Sequence, residues 1–168
     1  ILLREAETNL QYSVVGYSGK IQASFGDTTT SPQLHSPIIG WAYDGNPIYG
    51  PFGFSEADNK NSLSRVMESG YELDSSEVDN RPSTSVFAAG FFIEDYKFND
   101  SGDLDKNNGR FCKTPDFPNG TYAYFAGISS ISSSPVFPYF IGDTYRSNPV
   151  IENFTLSQSN FDFNNSNL

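Results

Sequence analysis

The amino-acid sequence predicts an all-β fold, a sandwich or an irregular barrel with long loops and little helix. Aromatic rings make up 15% of the 168 residues, with 15 Phe and 10 Tyr. Each buried ring contributes a large burial energy, so we expect an aromatic core. Ala and Leu, which favour helices, are scarce, whereas Ser, Asn, Gly and Thr are abundant. A chain of this length buries about 70% of its unfolded surface, which is enough for one core.

The first third of the chain is predicted to contain strands, and a long loop is predicted to follow. Residues 1–30 alternate weakly between apolar and polar positions and are broken by glycines, which indicates one or two strands. Residues 55–84 are polar, acidic and poor in rings. That composition predicts a surface loop with one helical turn near Leu63 to Met67.

Two further ring-rich segments are predicted to be core strands. In residues 86–98, a strand would place Phe91 and Ile93 on one face. Residues 136–147 are rich in aromatic and branched side chains and are expected to form the last strand of the core.

Between these two segments, residues 121–128 carry the clearest strand pattern in the chain. Successive side chains of a strand point to opposite faces. Tyr122 and Tyr124 are therefore expected on one face, and Ala123 and Phe125 on the other.

Composition also limits the domain organisation and the partners. We expect one β domain over residues 1–147 and a C-terminal extension, or a linker to a larger parent protein, over residues 148–168. The formal net charge is −10, and binding to a phosphate backbone depends on clustered Lys and Arg, so nucleic acid is not an expected partner. No apolar run reaches the roughly 18 residues that span a membrane. Cys112 is the only cysteine, so no disulfide forms within the chain.

The stretch "GWAYDGNPIYGP" (residues 40–51) predicts a tight turn. Gly45 accepts positive φ without steric cost, and Pro47 fixes its own φ. Asp44 is expected to bond its own turn backbone. Trp41, the only tryptophan, is predicted to be largely buried, because the rings around the turn converge on a small region.

Four blocks in order, "GWAYDGNPIYGP", "GDLDKNNGRF", "NGTYAYF" and "FPYFIG", resemble the YHYH domain family across residues 35–147. The chain is most similar to variants found in tail- or baseplate-associated virion structural proteins of contractile-tailed phages of marine cyanobacteria. The resemblance assigns a motif core to His35, Trp41, Asp44, Gly45, Pro47, Tyr49, Gly50, Pro51, Asp105, Asn108, Gly109, Arg110, Tyr122 and Tyr124.

The sequence departs from the family where chemistry is expected. The Tyr-His-Tyr-His string reads Tyr122-Ala123-Tyr124-Phe125, so both histidines are missing, and Asn107 stands where members often carry a cysteine. With one histidine and one cysteine in the chain, no set of three or four His or Cys ligands remains to hold zinc or copper tightly. The expectation is a degenerate site with no catalytic residue, no metal and no cofactor.

The resemblance implies a non-enzymatic structural module of a phage virion. Its expected location is the extracellular particle, assembled in the host cytoplasm. Other virion proteins are the expected partners, and homo-oligomerisation and contact with a host surface glycan remain open.

Three alternatives for the site follow from the residues. A Cys-His enzyme would use His35 and Cys112, the only such pair. A metal-dependent or glycoside-cleaving hydrolase acting on a host surface polymer would need two acids, Asp44 with Asp103 or Asp105, about 5 to 10 Å apart across a cleft. A carbohydrate-binding module would use exposed rings of Trp41, Tyr43 or Tyr49 as its platform.

A calcium loop is a further alternative. Asp103, Asp105 and Asn107 have the one, three, five spacing of ligands that converge on a hard cation. The pattern is partial, because Asn108 stands where a glycine is expected and no distal glutamate follows. Turn capping by these side chains competes with this interpretation.

Overall fold

A computed structural model describes residues 16–27, 33–76 and 78–149, together with the backbone of two strands nearer the N-terminus. The elements in chain order are β1 (Leu2–Ala6), β2 (Asn9–Ser13), α1 (Gly19–Ser24), β3 (Ile38–Trp41), β4 (Pro47–Tyr49), β5 (Phe52–Phe54), β6 (Ser64–Val66), β7 (Tyr71–Leu73), a 3₁₀ turn (Ile93–Asp95), β8 (Tyr96–Phe98), β9 (Gly109–Cys112) and β10 (Thr121–Phe125). The predicted all-β class and its low helix content are confirmed.

The strands form several small sheets, and within the described residues they close no barrel. One four-stranded sheet has the order β3-β4-β10-β9, and the other pairs are β1-β2, β5-β6 and β7-β8. In the four-stranded sheet β10 runs parallel to β4, whereas β9 and β3 run antiparallel to their neighbours. A bulge interrupts β3 between Ile38 and Gly40.

The alternation predicted for β10 is confirmed. Tyr122 and Tyr124 pack with Ala42 on one face of the sheet. The other face carries the main core cluster, which consists of Tyr49, Met67, Leu104, Cys112, Ala123 and Phe125. A third cluster contains Tyr17, Phe52, Ala126 and Ile128. The prediction of an aromatic core is therefore correct.

Two segments predicted as strands are mostly turns. Residues 86–98 contain turns, the 3₁₀ turn and only the three-residue β8, because Gly90 adopts φ +88° and redirects the chain. Phe91 and Ile93 are exposed and do not form a core face. Residues 136–147 form no strand, since Pro138 lacks an N–H and Tyr139 adopts φ +69°.

The segment predicted as a long loop is partly extended. Residues 55–84 contain β6 and β7, which pair with β5 and β8, so the helical turn expected near Leu63 to Met67 is wrong. Each of the two strands has three residues. That length is too short to show an alternation of polar and apolar residues, so the sequence pattern did not predict them. The one or two strands expected in residues 1–30 are confirmed by β1 and β2, which pair antiparallel.

Helix α1 was not predicted. It begins after Ser18, whose Oγ accepts a hydrogen bond from the amide of Ile21 at 3.4 Å, and this capping serine was a signal in the sequence. No helix in the described part of the chain is long and apolar enough to span a membrane. The C-terminal extension predicted for residues 148–168 lies outside the described residues, apart from residues 148 and 149.

Candidate functional site

The turn between β3 and β4 has the predicted geometry. The Asp44 carboxylate accepts hydrogen bonds from the backbone N–H of Asn46 at 3.2 Å and from its side-chain amide at 2.9 Å. Gly45 adopts φ +84°, and its N–H donates to the carbonyl of Ala42 at 3.0 Å. Asp44 therefore stabilises the turn by accepting hydrogen bonds from Asn46, two residues ahead, as predicted.

We expect Gly45→Val to lower the free energy of unfolding by about 2 kcal/mol, because a β-branched residue at positive φ is strained. An added Cβ would meet no atom within 4 Å, so the loss arises from the backbone alone. Gly45→Asn is the control, since asparagine adopts this conformation more readily. Urea denaturation of the three proteins measures the effect. Equal stability of the Val variant and the parent would contradict this account of the turn.

The prediction that Trp41 is largely buried is wrong. Its side chain is 59% exposed and that of Tyr43 is 68% exposed, whereas Ala42 between them is buried. β3 is an edge strand that ends at Trp41. Ala42, which follows it, packs against Tyr122 and Tyr124, and the rings on either side of Ala42 stay outside. Trp41 contacts Phe117 edge to face at 6.4 Å, and Tyr43 contacts Tyr145 at 6.2 Å. Tyr49, the third ring of the proposed sugar platform, is fully buried.

The two motif tyrosines of β10 donate hydrogen bonds to aspartates from other parts of the chain. The Tyr124 hydroxyl donates to Asp44 at 2.7 Å, and the Tyr122 hydroxyl donates to Asp105 at 2.8 Å. The two rings meet edge to face with centroids 5.2 Å apart. We call these contacts the motif Tyr-Asp pairs. They join β10 to the motif turn and to the loop before β9.

The protonation states of these pairs follow from their surroundings. Burial raises the pKa of Tyr122, and the Asp105 carboxylate raises it further. Burial also raises the pKa of Tyr124, with the amide of Arg146 opposing and Asp44 adding to the shift. Burial alone would raise the pKa of Asp44, but hydrogen bonds from Tyr124 and Asn46 outweigh it, so the pKa of Asp44 is lowered. Both phenols keep their protons and donate, while Asp44 is ionised.

The loop before β9 is organised by Asp105. One of its carboxylate oxygens accepts from the amide of Asn107 at 2.9 Å as well as from Tyr122. Asn108, at φ +64°, donates its side-chain amide to the carbonyls of Phe125 and Phe140 at 2.8 and 3.1 Å. This motif asparagine ties the loop to β10.

The side chains of the proposed calcium loop have separate partners. Asp103 forms a bidentate pair with Arg65 at 2.6 Å, and Asn107 donates to Thr144. Among the described residues, no group of three His, Cys, Asp or Glu side chains is placed to hold a metal ion. The geometry matches turn capping and cross-linking of the loop.

The two positions where the family carries histidine face the core. Ala123 and Phe125 are both 0% exposed. The Phe125 ring stacks on Tyr49 at 5.8 Å and lies 5.7 Å from the guanidinium carbon of Arg110. Arg110 also donates to the carbonyl of Phe54. The strand therefore presents apolar groups to a closed interior at these positions.

His35 lies among rings. Its Nδ1 is 2.8 Å from the carbonyl oxygen of Ser36, and a carbonyl only accepts, so Nδ1 carries the hydrogen. Its Nε2 is buried with no partner among the described residues. The ring contacts Tyr49, Phe54 and Phe125 at centroid distances of 5.0, 4.8 and 5.9 Å. The bond to Ser36 thus ties the imidazole to the backbone just before β3.

Cys112, the other half of the proposed Cys-His pair, is packed as a small apolar side chain in the main core cluster. Burial raises the pKa of its thiol, with Arg110 opposing. A thiol in this state is a poor nucleophile at neutral pH.

His35 gives a pH-dependent stability. Burial lowers its pKa below the ordinary 6.5, the Ser36 carbonyl opposes this, Arg110 lowers the pKa further, and Asp116 and Asp27 raise it. The unfolded chain therefore takes up the proton first. We expect stability to be constant above about pH 6.5 and to fall as the pH drops through the lowered folded pKa.

Urea denaturation between about pH 7.5 and 5 measures this effect. His35 is the only histidine, so His35→Asn should abolish the slope in that window. A slope that persists in the variant would assign the effect to another group.

The second arm of the motif is held by polar groups that the sequence did not reveal. The Tyr49 hydroxyl lies 2.9 Å from Thr114 and donates to Asp116 at 2.9 Å. Pro47 and Pro51 are fully buried beside it, and Gly50 leaves no room for a Cβ against Ser36. The two bonds of the Tyr49 hydroxyl join positions 65 and 67 residues apart, so no local pattern in the sequence predicts them.

A second set of unpredicted contacts centres on Asp27. Its carboxylate accepts from the Tyr17 hydroxyl at 2.6 Å and from the Ser36 hydroxyl at 2.7 Å. Ser36 in turn accepts from the amide of Phe52 at 2.9 Å. A buried tyrosine-aspartate pair thus recurs outside the motif strand.

The end of the described chain is anchored to the motif. The amide of Arg146 donates to the Tyr124 hydroxyl at 2.7 Å, and the amide of Ser147 donates to Asp44 at 3.2 Å. Thr144 accepts from Asn107 at 2.7 Å. All three contacts are made to residues of the motif turn, β10 or the loop before β9.

Comparison with known protein families gives a match over most of the chain. The family model described as "YHYH protein" matches residues 13–134. No curated protein and no solved structure matches the chain.

Proposed function

The chain belongs to the YHYH protein family, and from this premise we propose that it is a non-enzymatic structural module of a phage virion with a degenerate YHYH site. Its place would be in a tail, baseplate or fibre, with other virion proteins and copies of itself as partners. The observation that carries the proposal is that Ala123 and Phe125 are fully enclosed in the core. The motif strand therefore serves packing at the two positions where the family carries imidazoles.

The motif Tyr-Asp pairs support the same proposal. The Tyr122 hydroxyl donates to Asp105, 17 residues away in the chain. The Tyr124 hydroxyl donates to Asp44, 80 residues away. Such contacts stabilise a rigid module. The virion setting itself is supported by the four-block resemblance to variants in structural proteins of contractile-tailed phages.

A hydrolase acting on a host surface polymer is the rival of another class. A general acid in a glycosidase needs a raised pKa, whereas the pKa of Asp44 is lowered.

Elemental analysis of protein purified without chelators distinguishes a metal-dependent hydrolase from the structural module that we propose. We expect less than one zinc or copper per chain, because His35 and Cys112 are the only residues of their types. One bound ion per chain would favour the hydrolase.

The virion proposal is tested on particles. Virions of the phage that encodes the chain are purified on a density gradient from an infected culture, digested and analysed by mass spectrometry. We expect peptides from residues 16–149 in a constant ratio to a major structural protein across the particle peak. Peptides found in the unassembled cell fraction and missing from the particle peak would contradict the proposal. Cross-linking within the particles then identifies the neighbouring proteins.

Carbohydrate binding is a second candidate, favoured by the exposure of Trp41 and Tyr43. Exposed rings stack on the apolar faces of sugars. Trp41 is the only tryptophan, so its fluorescence reports any ligand that stacks on it. A spectral change on addition of a host surface glycan, lost in Trp41→Ala, would support this candidate. An unchanged spectrum at glycan concentrations where the protein is retained on the glycan would exclude this surface.

A further inference from the structure

A cleft of about 490 Å³ has aromatic walls, and part of its lining comes from the block "FPYFIG" (residues 137–142). Its lining is formed by residues 90–93, 96, 137–139 and 141–143. The family model ends at residue 134, so one wall of the cleft lies beyond the matched residues. A volume in this range is typical of sites for small ligands.

One wall of the cleft is held by a buried aspartate. Asp95 is fully buried and accepts hydrogen bonds from the amides of Gly90 and Phe92 at 2.8 and 3.3 Å. It also pairs with Arg81, whose guanidinium lies over the Phe92 ring at 5.3 Å. The chain that carries Phe91 to Tyr96 is thereby fixed in place before any ligand arrives.

The other wall contains a strained residue. Tyr139 adopts φ +69°, whereas the other non-glycine residues at positive φ in the described part of the chain are Asn80, Asp100, Asn108 and Ser133. A bulky residue in this conformation costs free energy and persists only where neighbours hold it. Backbone bonds from Tyr139 to Val136 and from Gly127 to Tyr139, both 2.8 Å, hold it here. Tyr139 therefore lines the cleft in a backbone conformation that its neighbours hold.

The cleft combines ring surfaces with spare hydrogen-bonding groups. Tyr96 stacks on Phe137 at 4.2 Å, and Tyr139 meets Phe137 edge to face at 6.1 Å. The Tyr96 hydroxyl makes only a 3.5 Å contact with the Gly90 carbonyl. Within the described residues, the exposed Asp143 carboxylate forms no ion pair. Phe91, 65% exposed, extends the apolar surface at the rim.

The charge and openness of the cleft restrict its ligand. No Lys, Arg or His is among the lining residues, and with Asp143 at the rim and a formal net charge of −10 an anionic ligand would be repelled. A quaternary ammonium gains substantial binding free energy only in a desolvated cage of ring faces. The exposed ring of Phe91 at the rim shows that this cleft is open to water. Rings beside phenol groups, and beside a carboxylate that forms no ion pair with the described residues, fit a neutral ligand with many hydroxyls.

We propose that this cleft binds a neutral saccharide. The sugar's C–H face would stack on the aromatic wall, and its hydroxyl groups would donate to Asp143 and exchange hydrogen bonds with Tyr96 and Tyr139. Neither Trp41 nor Tyr43 lines this cleft, and the proposal does not depend on the virion role proposed above.

The test uses the purified full chain on an array of neutral, uronate-containing and sulfated oligosaccharides, followed by calorimetric titration with the best neutral one. We expect neutral saccharides to be retained over both acidic classes. Asp143→Asn should weaken binding about tenfold, because the amide replaces one acceptor oxygen by a donor and removes the charge. Tyr139→Phe should weaken binding about fivefold, because it removes the hydroxyl and keeps the ring. Asp79→Asn, at another exposed aspartate, should leave the affinity unchanged. Melting curves of all variants should match the parent.

Several results would overturn the proposal. These are no retention of any neutral saccharide, unchanged affinity in both Asp143→Asn and Tyr139→Phe, or loss of binding in Trp41→Ala with the Asp143→Asn protein unaffected. Competition by choline but not by free monosaccharides would assign the cleft to cations and would also refute it.

Discussion

Gly109→Ala is expected to lower the free energy of unfolding by about 3 kcal/mol, which for a chain of this size lowers the melting temperature by about 9 °C. A Cβ at this position would lie 2.5 Å from the Tyr122 hydroxyl oxygen and 2.7 Å from the backbone carbonyl oxygen of Ala123. The carbonyl belongs to the β9-β10 pairing and cannot withdraw without disrupting the sheet. Tyr122 can move only by breaking its hydrogen bond to Asp105.

Gly19→Ala is the matched control for this variant. A Cβ at Gly19 meets nothing within 4 Å, and Gly19 is the first residue of α1. Alanine there reduces the freedom of the unfolded chain, so stability should be unchanged or slightly raised. Thermal denaturation of both variants decides the matter. If the two substitutions have the same effect, the close packing of β9 against Tyr122 does not contribute to stability.

Phe125→Ala is expected to cost about 4 kcal/mol, the size of loss usual for removing a buried phenylalanine. Phe125 is fully enclosed and contacts Tyr49 and His35, while the Arg110 guanidinium lies over its ring. Truncation would open a cavity between the four-stranded sheet and the rings beside β5, and it would leave Arg110 over an empty space.

Phe111→Ala provides the comparison, because Phe111 is on the neighbouring strand β9 and is 66% exposed. Its removal should change the free energy of unfolding by about 0.5 kcal/mol or less. Urea denaturation with a common slope for the three proteins measures both values. Similar losses from the two substitutions would show that the motif strand is not the centre of the core.

The features predicted correctly from the sequence are local ones. The motif turn could be predicted because Gly45 and Pro47 restrict the backbone within four residues. The two faces of β10 could be predicted because alternation in "TYAYF" is a property of five consecutive residues. The all-β class followed from composition in the same way.

The errors arise where tertiary context overrides local pattern. Trp41 lies on an edge strand, and the sequence does not say which strand is the edge. Residues 86–98 have the composition of a strand. However, the backbone amides of Gly90 and Phe92 donate to the buried carboxylate of Asp95, whereas in a strand they would donate to the carbonyls of a neighbouring strand.

The unpredicted part of the site consists of contacts between distant segments. Tyr49 with Asp116 and Tyr124 with Asp44 are 67 and 80 residues apart. Aspartate and tyrosine are common in this chain, so no spacing distinguishes the paired ones. Only the sheet order, with β10 between β4 and β9, brings them together.

The anchoring of residues 144–147 has a mechanical consequence. Tension on the chain beyond Ser147 would reach the fold first through the bonds to Asp44 and Tyr124, and then through Thr144 to Asn107. Asp44 and Tyr124 are themselves bonded to each other, so a pulling force would be shared between the motif turn and the central strand of the sheet before any single loop yields. Asp44 and Tyr124, two residues of the family pattern, would thus take the first share of a force on the C-terminal segment.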